Sequence, residues 1–310
     1  MFIILEGENK TGKSSLARLF HELTGWEVIK FSQPTKEPYI EYMEFLLERK
    51  EPAILDRFYL GEKVYGPLWR GKSDLNEWQT RMLEMTCMAR MSLNIYCETN
   101  EKTIIKNFEK EKEELAKAEQ IPDILSLFRK AVKDSRLDWN RFDYEKDGKY
   151  EKIREIFFLW FSRFKQNEQH IKMLQKTRAI GNPFAKNVIV GDVCNGDLEL
   201  QKYSHIIMPF AKGVSPDYLW QAIDKIDKKR YLMTNVRKYH LHKHLSIQDV
   251  FIPTAQKIIC LGNNAYNDVM EARKGMLPLT KVVKVKNPAW GTRFMIEPEL
   301  YAQGIKNELI

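Results

Sequence analysis

The first half of the chain alternates short apolar runs with segments of helical periodicity. Three apolar runs predict buried strands: residues 2–6 (FIILE), 52–58 (PAILDRF) and 93–99 (LNIYCET). Apolar positions repeat at helical spacing in three other segments: residues 14–23, the sequence around 74–91, and the long stretch 150–177. Because Gly181, Asn182 and Pro183 follow the last of these helices, we predict a first domain at residues 1–180.

The pattern starts again after this break. Further apolar runs predict strands at residues 187–192 (NVIVGD), 205–210 (HIIMPF), 230–235 (RYLMTN), 257–262 (KIICLG) and 281–285 (KVVKV). Helical patterns follow the second, third and fourth of these runs. Strands that alternate with helices are typical of open α/β sheets. We therefore predict an α/β protein with two domains, the second at residues 186–310.

The composition is that of a globular protein. Hydrophobic residues make up 44% and aromatic residues 12% of the 310 residues, which is enough for two buried cores. No apolar run approaches the roughly 20 residues of a membrane span, and the N-terminus lacks a basic segment followed by a cleavage site. Cys87, Cys97, Cys194 and Cys260 form no C-x-x-C pair, which favours reduced, buried thiols over a zinc site. We expect a soluble cytoplasmic protein without a membrane partner.

The segment after the first strand fits the phosphate-binding pattern G-x-x-x-x-G-K-S. It spans residues 7–14 (GENKTGKS), hereafter the P-loop, between a predicted strand and a predicted helix, as the motif requires. Its glycines let backbone N–H groups wrap phosphates, Lys13 reaches the β and γ oxygens, and the Ser14 hydroxyl holds Mg²⁺. The motif predicts ATP and Mg²⁺ as cofactors; the alternative is a chance match in an ordinary turn. The predicted nucleotide-binding residues are Gly7, Asn9, Thr11, Gly12, Lys13, Ser14 and Ser15.

Two segments together resemble thymidylate kinase and its deoxynucleotide-kinase relatives. They are EGENKTGKSS at residues 6–15 and DRFYLGEKVYGPLWRGK at residues 56–72. The resemblance covers roughly residues 1–160 and implies a P-loop kinase fold with Asp56 and Arg57 at a strand end beside the P-loop. It also implies that an aromatic-glycine segment and a basic residue cover the acceptor nucleotide. The matching residues are Tyr65, Gly66 and Arg70.

The matched residues suggest roles in phosphoryl transfer, which depends on positioning and on neutralising charge. Lys13, Mg²⁺ and Lys10 would neutralise the phosphates, with Lys10 at the loop position where some thymidylate kinases carry a catalytic arginine. Asp56 would orient or deprotonate the attacking hydroxyl, and Arg57 would hold an acceptor phosphate. The alternative for Asp56 and Arg57 is an ion pair at the end of a strand.

Two further features follow from this resemblance. Asn9 lies where thymidylate kinases have an aspartate that accepts a hydrogen bond from the acceptor's 3′-hydroxyl. An amide can donate to a phosphodiester oxygen, which a carboxylate cannot do. A lid over ATP is expected in the charged stretch 101–141. The candidate lid residues are Arg129, Arg136 and Arg141.

The second domain resembles the uracil-DNA glycosylase superfamily. The segments VIVGDVCNGD, IIMPFAKG, YLMTNVRK, KIICLGNNAYND and VKNPAWG occur in the order expected of that fold. The resemblance implies a hydrolytic loop, a Phe stacked on a flipped base, an Asn at the pyrimidine edge, and a His-Pro-Ser loop on the DNA strand. The residues at these positions are Asp192, Phe210, Asn235 and Asn287-Pro288-Ala289.

The departures from that superfamily argue against base excision, because Asn287 replaces the histidine and the first loop lacks a glycosylase motif. What remains is a ring for stacking and an amide for hydrogen bonds, which together would hold a pyrimidine. The alternative is an ordinary α/β domain in which Phe210 belongs to the core and Asn235 caps a helix.

Basic residues are concentrated in the C-terminal part. Residues 186–310 contain 18 Lys and Arg against 12 Asp and Glu, in a chain of net charge +8. The segment RKYHLHKHL at residues 237–245 is predicted to contact DNA phosphates, with Tyr239 interleaved for stacking. The alternatives are a solvated loop, or a metal site formed by the alternating histidines. The predicted nucleic-acid contacts are Arg237, Lys238, His240 and Lys243.

Three functions fit these patterns. The narrowly favoured one is a kinase that phosphorylates the hydroxymethyl group of 5-hydroxymethyluracil in DNA; the resemblance implies a viral pathway of thymine hypermodification in an infected bacterial cell. The second is a thymidylate kinase acting on free dTMP or a 5-substituted dUMP. The third is a nucleotide-switched DNA-binding protein, which the intact Asp56–Arg57 element disfavours. The oligomeric state stays open.

Overall fold

The chain forms two compact units in a computed structural model. The structure describes residues 1–31, 37–110, 118–147, 150–177, 179–194, 214–223, 231–238, 255–273 and 280–309. The first unit comprises residues 1–87 and 91–168, and the second comprises residues 88–90 and 169–310. No helix in these ranges is long and apolar enough to cross a membrane.

The first unit contains a parallel sheet with helices between its strands. Its order is β2-β3-β1-β4-β5, and all four strand pairs are parallel. The strands are β1 (Phe2–Glu6), β2 (Glu27–Lys30), β3 (Ala53–Asp56), β4 (Leu93–Glu98) and β5 (Trp139–Asp143). The helices are α1 (Lys13–Thr24), α2 (Pro38–Glu48), α3 (Tyr59–Arg70), α4 (Glu77–Ala89), α5 (Glu101–Lys110), α6 (Ile121–Asp134) and α7 (Glu151–Thr177).

Burial explains why β1 is the centre of this sheet. All of its residues are buried, as expected of a parallel strand covered on both faces. Leu16 and Phe20 of α1 pack with Ile3 and Leu5 of β1 in one hydrophobic cluster. Because β3 and β4 flank β1 on opposite sides, the strand order reverses at β1, and open α/β sheets bind ligands at the carboxyl ends of strands beside such a point.

The second unit contains its own sheet in the order β10-β9-β7-β8-β6. The pairs among β7, β8, β9 and β10 are parallel, and β6 is antiparallel to β8. The strands are β6 (Ile180–Gly181), β7 (Asn187–Cys194), β8 (Tyr231–Lys238), β9 (Lys257–Leu261) and β10 (Lys281–Val285). The helices are α8 (Val214–Ile223), α9 (Asn263–Arg273), α10 (Pro288–Arg293) and α11 (Pro298–Leu309).

The predicted fold class is confirmed in that an α/β unit with a parallel sheet is followed by a second α/β unit. The predicted strand at 205–210 lies outside the described residues. The structure divides the chain within α7, rather than after it as expected from the sequence. The physical reason is that the last turns of α7 pack with the segment that follows. His170 Nε2 lies 2.8 Å from the Pro183 carbonyl oxygen, and Ile171 is buried.

The thiols that can be described agree with the expectation from the sequence. Cys87, Cys97 and Cys260 are buried and form no disulfide. Burial raises the pKa of Cys97 and of Cys260 to about 12 in each case, which keeps these thiols protonated and unreactive. Among the described residues, no group of three or more His, Cys, Asp or Glu side chains is placed to hold a metal ion.

Candidate active site

The P-loop leaves β1 and enters α1 with the backbone conformations that its glycines permit. Gly7 has a φ of +139° and Gly12 a φ of +86°, both on the side of φ that L side chains rarely adopt. Gly12 is the N-cap of α1 and accepts a hydrogen bond from the Leu16 amide at 3.0 Å. The N-terminus of α1 therefore faces the loop, where its partial positive charge favours a phosphate.

Replacing Gly7 with alanine is expected to destabilise the protein by about 2–5 kcal/mol, from a strained φ and an overpacked contact. A Cβ at this position would lie 2.1 Å from the Cys97 carbonyl oxygen. Gly25→Ala is the matched control, because Gly25 has a φ of +71° with nothing within 4 Å of its Cβ position. That variant should lose only about 1 kcal/mol. Urea unfolding measures both, and equal losses would contradict the packing argument.

Lys13 is held inside the P-loop. It is 5% exposed, and its Nζ donates to the Gly7 carbonyl at 2.8 Å and to the Glu8 carbonyl. Burial lowers the pKa of Lys13, and the nearby positive charge of Arg57 lowers it further. An ammonium group packed against loop carbonyls is positioned to move onto phosphate oxygens that enter the loop.

Ser14 and Asp56 meet across the end of the sheet. The Ser14 hydroxyl lies 3.2 Å from Asp56 Oδ2. Asp56 is 5% exposed, and its Oδ1 is buried without a hydrogen-bond partner among the described residues. A hydroxyl beside a carboxylate with an unsatisfied oxygen fits Mg²⁺, which prefers hard oxygen ligands. This geometry favours a metal-holding role for Asp56 over the predicted contact with the acceptor hydroxyl.

Arg57 adopts an unusual backbone conformation and contacts the P-loop. Its φ is +73°, its amide donates to the Leu5 carbonyl at 2.9 Å, and its guanidinium donates to Asn9 Oδ1. A left-handed conformation at a non-glycine residue costs about 1–2 kcal/mol and often marks a functional position. Arg57 and Asp56 therefore contact different residues of the P-loop, Asn9 and Ser14.

A carboxylate inside the P-loop links it to α3. Glu8 is 0% exposed; one of its oxygens accepts from the Asn9 amide at 2.6 Å and the other from the Tyr65 hydroxyl at 2.9 Å. Burial raises the pKa of Glu8. Thr11 tightens the same turn by donating to the Glu8 carbonyl at 2.7 Å. The sequence places Tyr65 near an acceptor but gives no sign of its bond to Glu8, because Glu8 occupies a variable position of the motif.

Glu6, which the motif analysis did not single out, ties β1 to the start of α3. Its Oε1 accepts from the amides of Phe58 and Leu60, each at 2.9 Å. Burial raises its pKa to about 7. The sequence feature that could have identified Glu6 is a carboxylate at the end of an otherwise apolar strand. Glu6 therefore fixes the turn that carries Asp56 and Arg57.

This pKa predicts a pH dependence of stability. A glutamate in the unfolded chain titrates near 4.5, so between that pH and about 7 the folded state binds more protons than the unfolded state. The stability from this group is present below 4.5 and is lost as pH rises through about 7, amounting to about 3 kcal/mol.

Glu6→Gln keeps an oxygen that can accept from both amides but removes the titration. Relative to the parent, its free energy of unfolding should therefore rise by about 3 kcal/mol between roughly pH 5 and pH 8. Glu155→Gln, at an exposed position of α7, is the control. If the free energy of unfolding, measured with urea, depends on pH in the same way for the parent and for Glu6→Gln, the raised pKa of Glu6 is contradicted.

Arg70, which the resemblance predicts to cover the acceptor, is paired with carboxylates of its own segment. Its guanidinium forms an ion pair with the buried Glu62 and lies 3.3 Å from Asp74 Oδ2. A Cβ on Gly66 would lie 2.8 Å from Glu62 Oε1 and 2.9 Å from the Arg70 Nη2. Gly66 thus leaves room for the Glu62–Arg70 pair, and the glycine of the aromatic-glycine segment has a packing role.

The lid arginines also have carboxylate partners. Arg129 Nε and Arg141 Nη1 lie 3.5 Å and 3.8 Å from the two oxygens of Glu98. Arg136 Nη1 lies 3.8 Å from Glu84 Oε2. Arg141 belongs to β5, within the sheet, so it departs from the expectation of a lid residue. Arg129 lies on α6 and Arg136 in the turn after it.

A cavity of about 490 Å³ unites most of the predicted kinase residues. Four basic side chains and one carboxylate are among the lining residues, which suits a polyphosphate. Two lining residues were not predicted from the sequence. Lys30 ends β2 at the binding edge of the sheet, and Asn107 lies on α5, where no sequence pattern points to it. The lining residues are Asn9, Lys10, Gly12, Lys13, Ser14, Ser15, Lys30, Asp56, Arg57 and Asn107.

Several predicted residues of the second unit lie within the carboxyl-terminal halves of parallel strands, rather than after them as expected from the sequence. Asp192 lies in β7 and Asn235 in β8, where Asn235 is in register with Gly191; Arg237 and Lys238 end β8. Phe210, His240 and Lys243 lie outside the described residues.

Asn287 follows β10 and caps α10. Its Oδ1 accepts from the Ala289 amide at 2.8 Å, and its Nδ2 donates to the Leu261 carbonyl at 3.4 Å. Both ends of this amide are therefore engaged within the unit, which differs from the predicted contact with a substrate. The reason is that Pro288 starts a helix whose first amides need an acceptor.

No family model matches the chain. It is similar to the SPbeta prophage-derived uncharacterized protein YorR of Bacillus subtilis (strain 168), with 26% identity over 162 residues, which cover 51% of this chain and 97% of that protein. Among solved structures, YorR from Bacillus subtilis in complex with phosphorylated GDP is 23% identical, with a TM-score of 0.47, and the match covers 55% of this chain and 98% of that one.

A deoxyadenosine kinase from M. mycoides with dCMP and dCDP bound is 19% identical, with a TM-score of 0.35, and the match covers 52% of this chain and 99% of that one. Each of these similarities therefore spans about half of the present chain.

Proposed function

We propose that the protein is an ATP- and Mg²⁺-dependent phosphotransferase that acts on a thymine- or uracil-type deoxynucleotide. The observation that supports the kinase activity is the convergence of Lys13, Ser14 and Asp56 at one cavity, where a buried Asp56 oxygen receives no hydrogen bond from the part of the chain that the structure describes. Phosphoryl transfer relies on such positioned charges more than on covalent chemistry.

Each residue has a role that its position supports. The P-loop amides and Lys13 bind the β- and γ-phosphates of ATP, and Ser14 and Asp56 hold Mg²⁺, which supplies charge neutralisation for the transferred group. Arg57 is directed by its contact with Asn9 along the loop, where it binds a phosphate of the acceptor. Lys10 supplies a further cation at the same cavity.

The charge of the cavity supports an acceptor that carries its own phosphate. Lys10, Lys30 and Arg57 line it in addition to Lys13, which is more positive charge than the donor alone requires. Both a phosphodiester in DNA and a free nucleoside monophosphate satisfy this condition. The favoured acceptor is the hydroxymethyl group of 5-hydroxymethyluracil in DNA; free dTMP or a 5-substituted dUMP is the second candidate.

The second unit supports the DNA acceptor. Residues 186–310 have a basic excess of 18 Lys and Arg over 12 Asp and Glu. In addition, the parallel order of β8, β7, β9 and β10 places the carboxyl ends of these strands at one edge. Asp192 and Asn235 lie near strand ends of this edge, where open α/β sheets bind ligands.

The direct experiment offers labelled ATP with three acceptors in parallel: dTMP, 5-hydroxymethyl-dUMP, and duplex DNA that contains 5-hydroxymethyluracil. Label in DNA alone supports the favoured acceptor, and label in a free nucleotide alone transfers the proposal to the second candidate. Absence of transfer to all three, from a protein that still binds ATP, would reject the phosphotransferase proposal for this substrate class.

The role of the second unit is tested separately. Phe210→Ala and Asn235→Ala should each weaken phosphorylation of DNA while leaving ATP hydrolysis without DNA unchanged, since stacking alone is worth roughly 1–3 kcal/mol per base.

Charge reversal at Arg237 and Lys238 should weaken binding of any DNA sequence and flatten its salt dependence. The parent should show no glycosylase activity. Variants that are folded and that phosphorylate DNA as the parent does would reduce this unit to an accessory.

A further inference from the structure

Trp69 is a partly exposed indole that stacks on a tyrosine bonded to the P-loop. It lies on α3 and is 43% exposed. Its ring is stacked on that of Tyr65, with centroids 4.5 Å apart and planes inclined by 12°. One face of the indole is therefore covered by tyrosine, and an exposed tryptophan in a parallel stack is well suited to accept another flat ring.

The Tyr65 ring beneath it is fixed from two further directions. Its hydroxyl donates to Glu8 of the P-loop at 2.9 Å, and Phe128 of α6 contacts its ring edge-on, at 5.6 Å between centroids and 80° between planes. The supporting ring is fixed in this way, so the face on which the indole stacks is ordered. A pre-ordered surface binds a ligand with less loss of conformational entropy than a mobile side chain does.

The polar contacts of this stack point to the acceptor rather than to ATP. Glu8, which anchors Tyr65, also accepts from the amide of Asn9, and Asn9 in turn accepts from Arg57. Arg57 is also close enough to Tyr65 for its positive charge to act on the pKa of that phenol. The same short network thus joins the proposed binder of the acceptor phosphate to the Tyr65–Trp69 stack.

From this arrangement we infer that Trp69 is the stacking platform for the nucleobase of the acceptor. This inference rests on the proposed function, which identifies the ligand as the acceptor. The binding of a nucleobase at Trp69 can nevertheless be measured without catalysis. A stacking contact favours any base, since every base has a π-face. Trp69 therefore supplies affinity, and the choice among bases depends on other contacts.

Equilibrium binding without catalysis tests the inference. The parent should bind dTMP more tightly than 2-deoxyribose 5-phosphate, which has the same phosphate and sugar but no base. Trp69→Ala should lose about 5- to 150-fold of the affinity for dTMP, with unchanged affinity for 2-deoxyribose 5-phosphate. Trp69→Phe should retain most of the preference for the base. Trp69→Leu should behave like Trp69→Ala, because an aliphatic side chain lacks a flat face.

The source of the base is distinguished with single-stranded oligonucleotides. A thymidine oligomer is compared with one of the same length that contains abasic residues, for the parent and for Trp69→Ala. If the preference for a base over an abasic ligand depends on Trp69 only in the oligomers, the platform binds a base within DNA. If that preference depends on Trp69 in dTMP, the platform binds free nucleotides. Both results support the inference. Phe158→Ala is the control, because Phe158 on α7 is 53% exposed and has no place in the site.

Two results would overturn the inference. One is a folded Trp69→Ala or Trp69→Leu protein that binds dTMP and the thymidine oligomer as the parent does. The other is an equal loss of affinity for ATP in those variants, which would assign the indole to the donor. Loss of phosphotransfer with every acceptor, while the preference for a base at Trp69 persists, would reject the proposed function and leave this binding site intact.

Discussion

Lys13→Ala is expected to reduce phosphotransfer to every acceptor by at least about 10²–10³-fold, the effect of removing one pre-positioned charge from a transition state. Lys13 is buried in the P-loop with its ammonium on two loop carbonyls. Lys13 is the first residue of α1, so the start of that helix fixes its position at the cavity. The measurement is transfer of labelled phosphate at saturating ATP and acceptor.

The fold should survive this substitution. The alanine leaves a small cavity where the lysine methylenes packed, which destabilises the fold. It also removes a buried charge, whose desolvation lowers the pKa of Lys13 and costs stability. The thermal unfolding midpoint should therefore stay close to that of the parent. Lys165→Ala, at an exposed position of α7 whose ammonium pairs with Glu168, is the control for activity. Turnover of Lys13→Ala within tenfold of the parent would remove the P-loop from the mechanism.

Asp56→Asn is the second substitution with a large expected effect, a loss of about 10²-fold or more in turnover. The contact of Asp56 with Ser14 predicts in addition that more Mg²⁺ is needed for half-maximal activity. An asparagine is close in shape and keeps one oxygen, so the change removes charge and little volume. Turnover is measured as a function of Mg²⁺ at saturating ATP and acceptor.

Ser14→Ala sharpens this test, because Ser14 and Asp56 would act on the same ion. The double variant should be scarcely worse than Asp56→Asn alone, since residues that act as a unit are not additive. If Asp56→Asn lowers turnover at an unchanged Mg²⁺ requirement, and its effect adds to that of Ser14→Ala, the carboxylate acts on the acceptor hydroxyl as the sequence suggested.

Local patterns account for the parts of the site that lie along one stretch of chain. The spacing of Gly7, Gly12, Lys13 and Ser14 predicted a loop between a strand and a helix, and β1 and α1 occupy those positions. This succeeded because a positive φ at each glycine and the start of α1 are determined by residues a few positions apart. The long α7 was predicted for the same reason, from helical periodicity alone.

The partners of individual polar side chains could not be predicted in this way. The bond from Glu8 to Tyr65 joins residues 57 positions apart, and its partner could not be inferred before the packing of α3 was known. Arg70 was assigned to the acceptor from the resemblance to the kinases, and no pattern in the sequence indicated that Glu62 on the same helix pairs with it. Asn287 was placed on a substrate, but its amide caps α10. A side chain near a predicted site takes whichever partner the fold brings closest.

The sequence by itself determined the α/β class of both units, the P-loop with its lysine and serine, and the strand end that carries Asp56 and Arg57. It did so because glycine torsions, helix starts and apolar periods are local properties of the chain. Only the tertiary structure decided that Asp56 lies against Ser14, 42 positions away, that Glu6 holds the turn before α3, and that Tyr65 is anchored to the P-loop. Those contacts depend on the order and register of parallel strands, which bring distant segments to one edge of the sheet, and no local pattern encodes which segments will meet there.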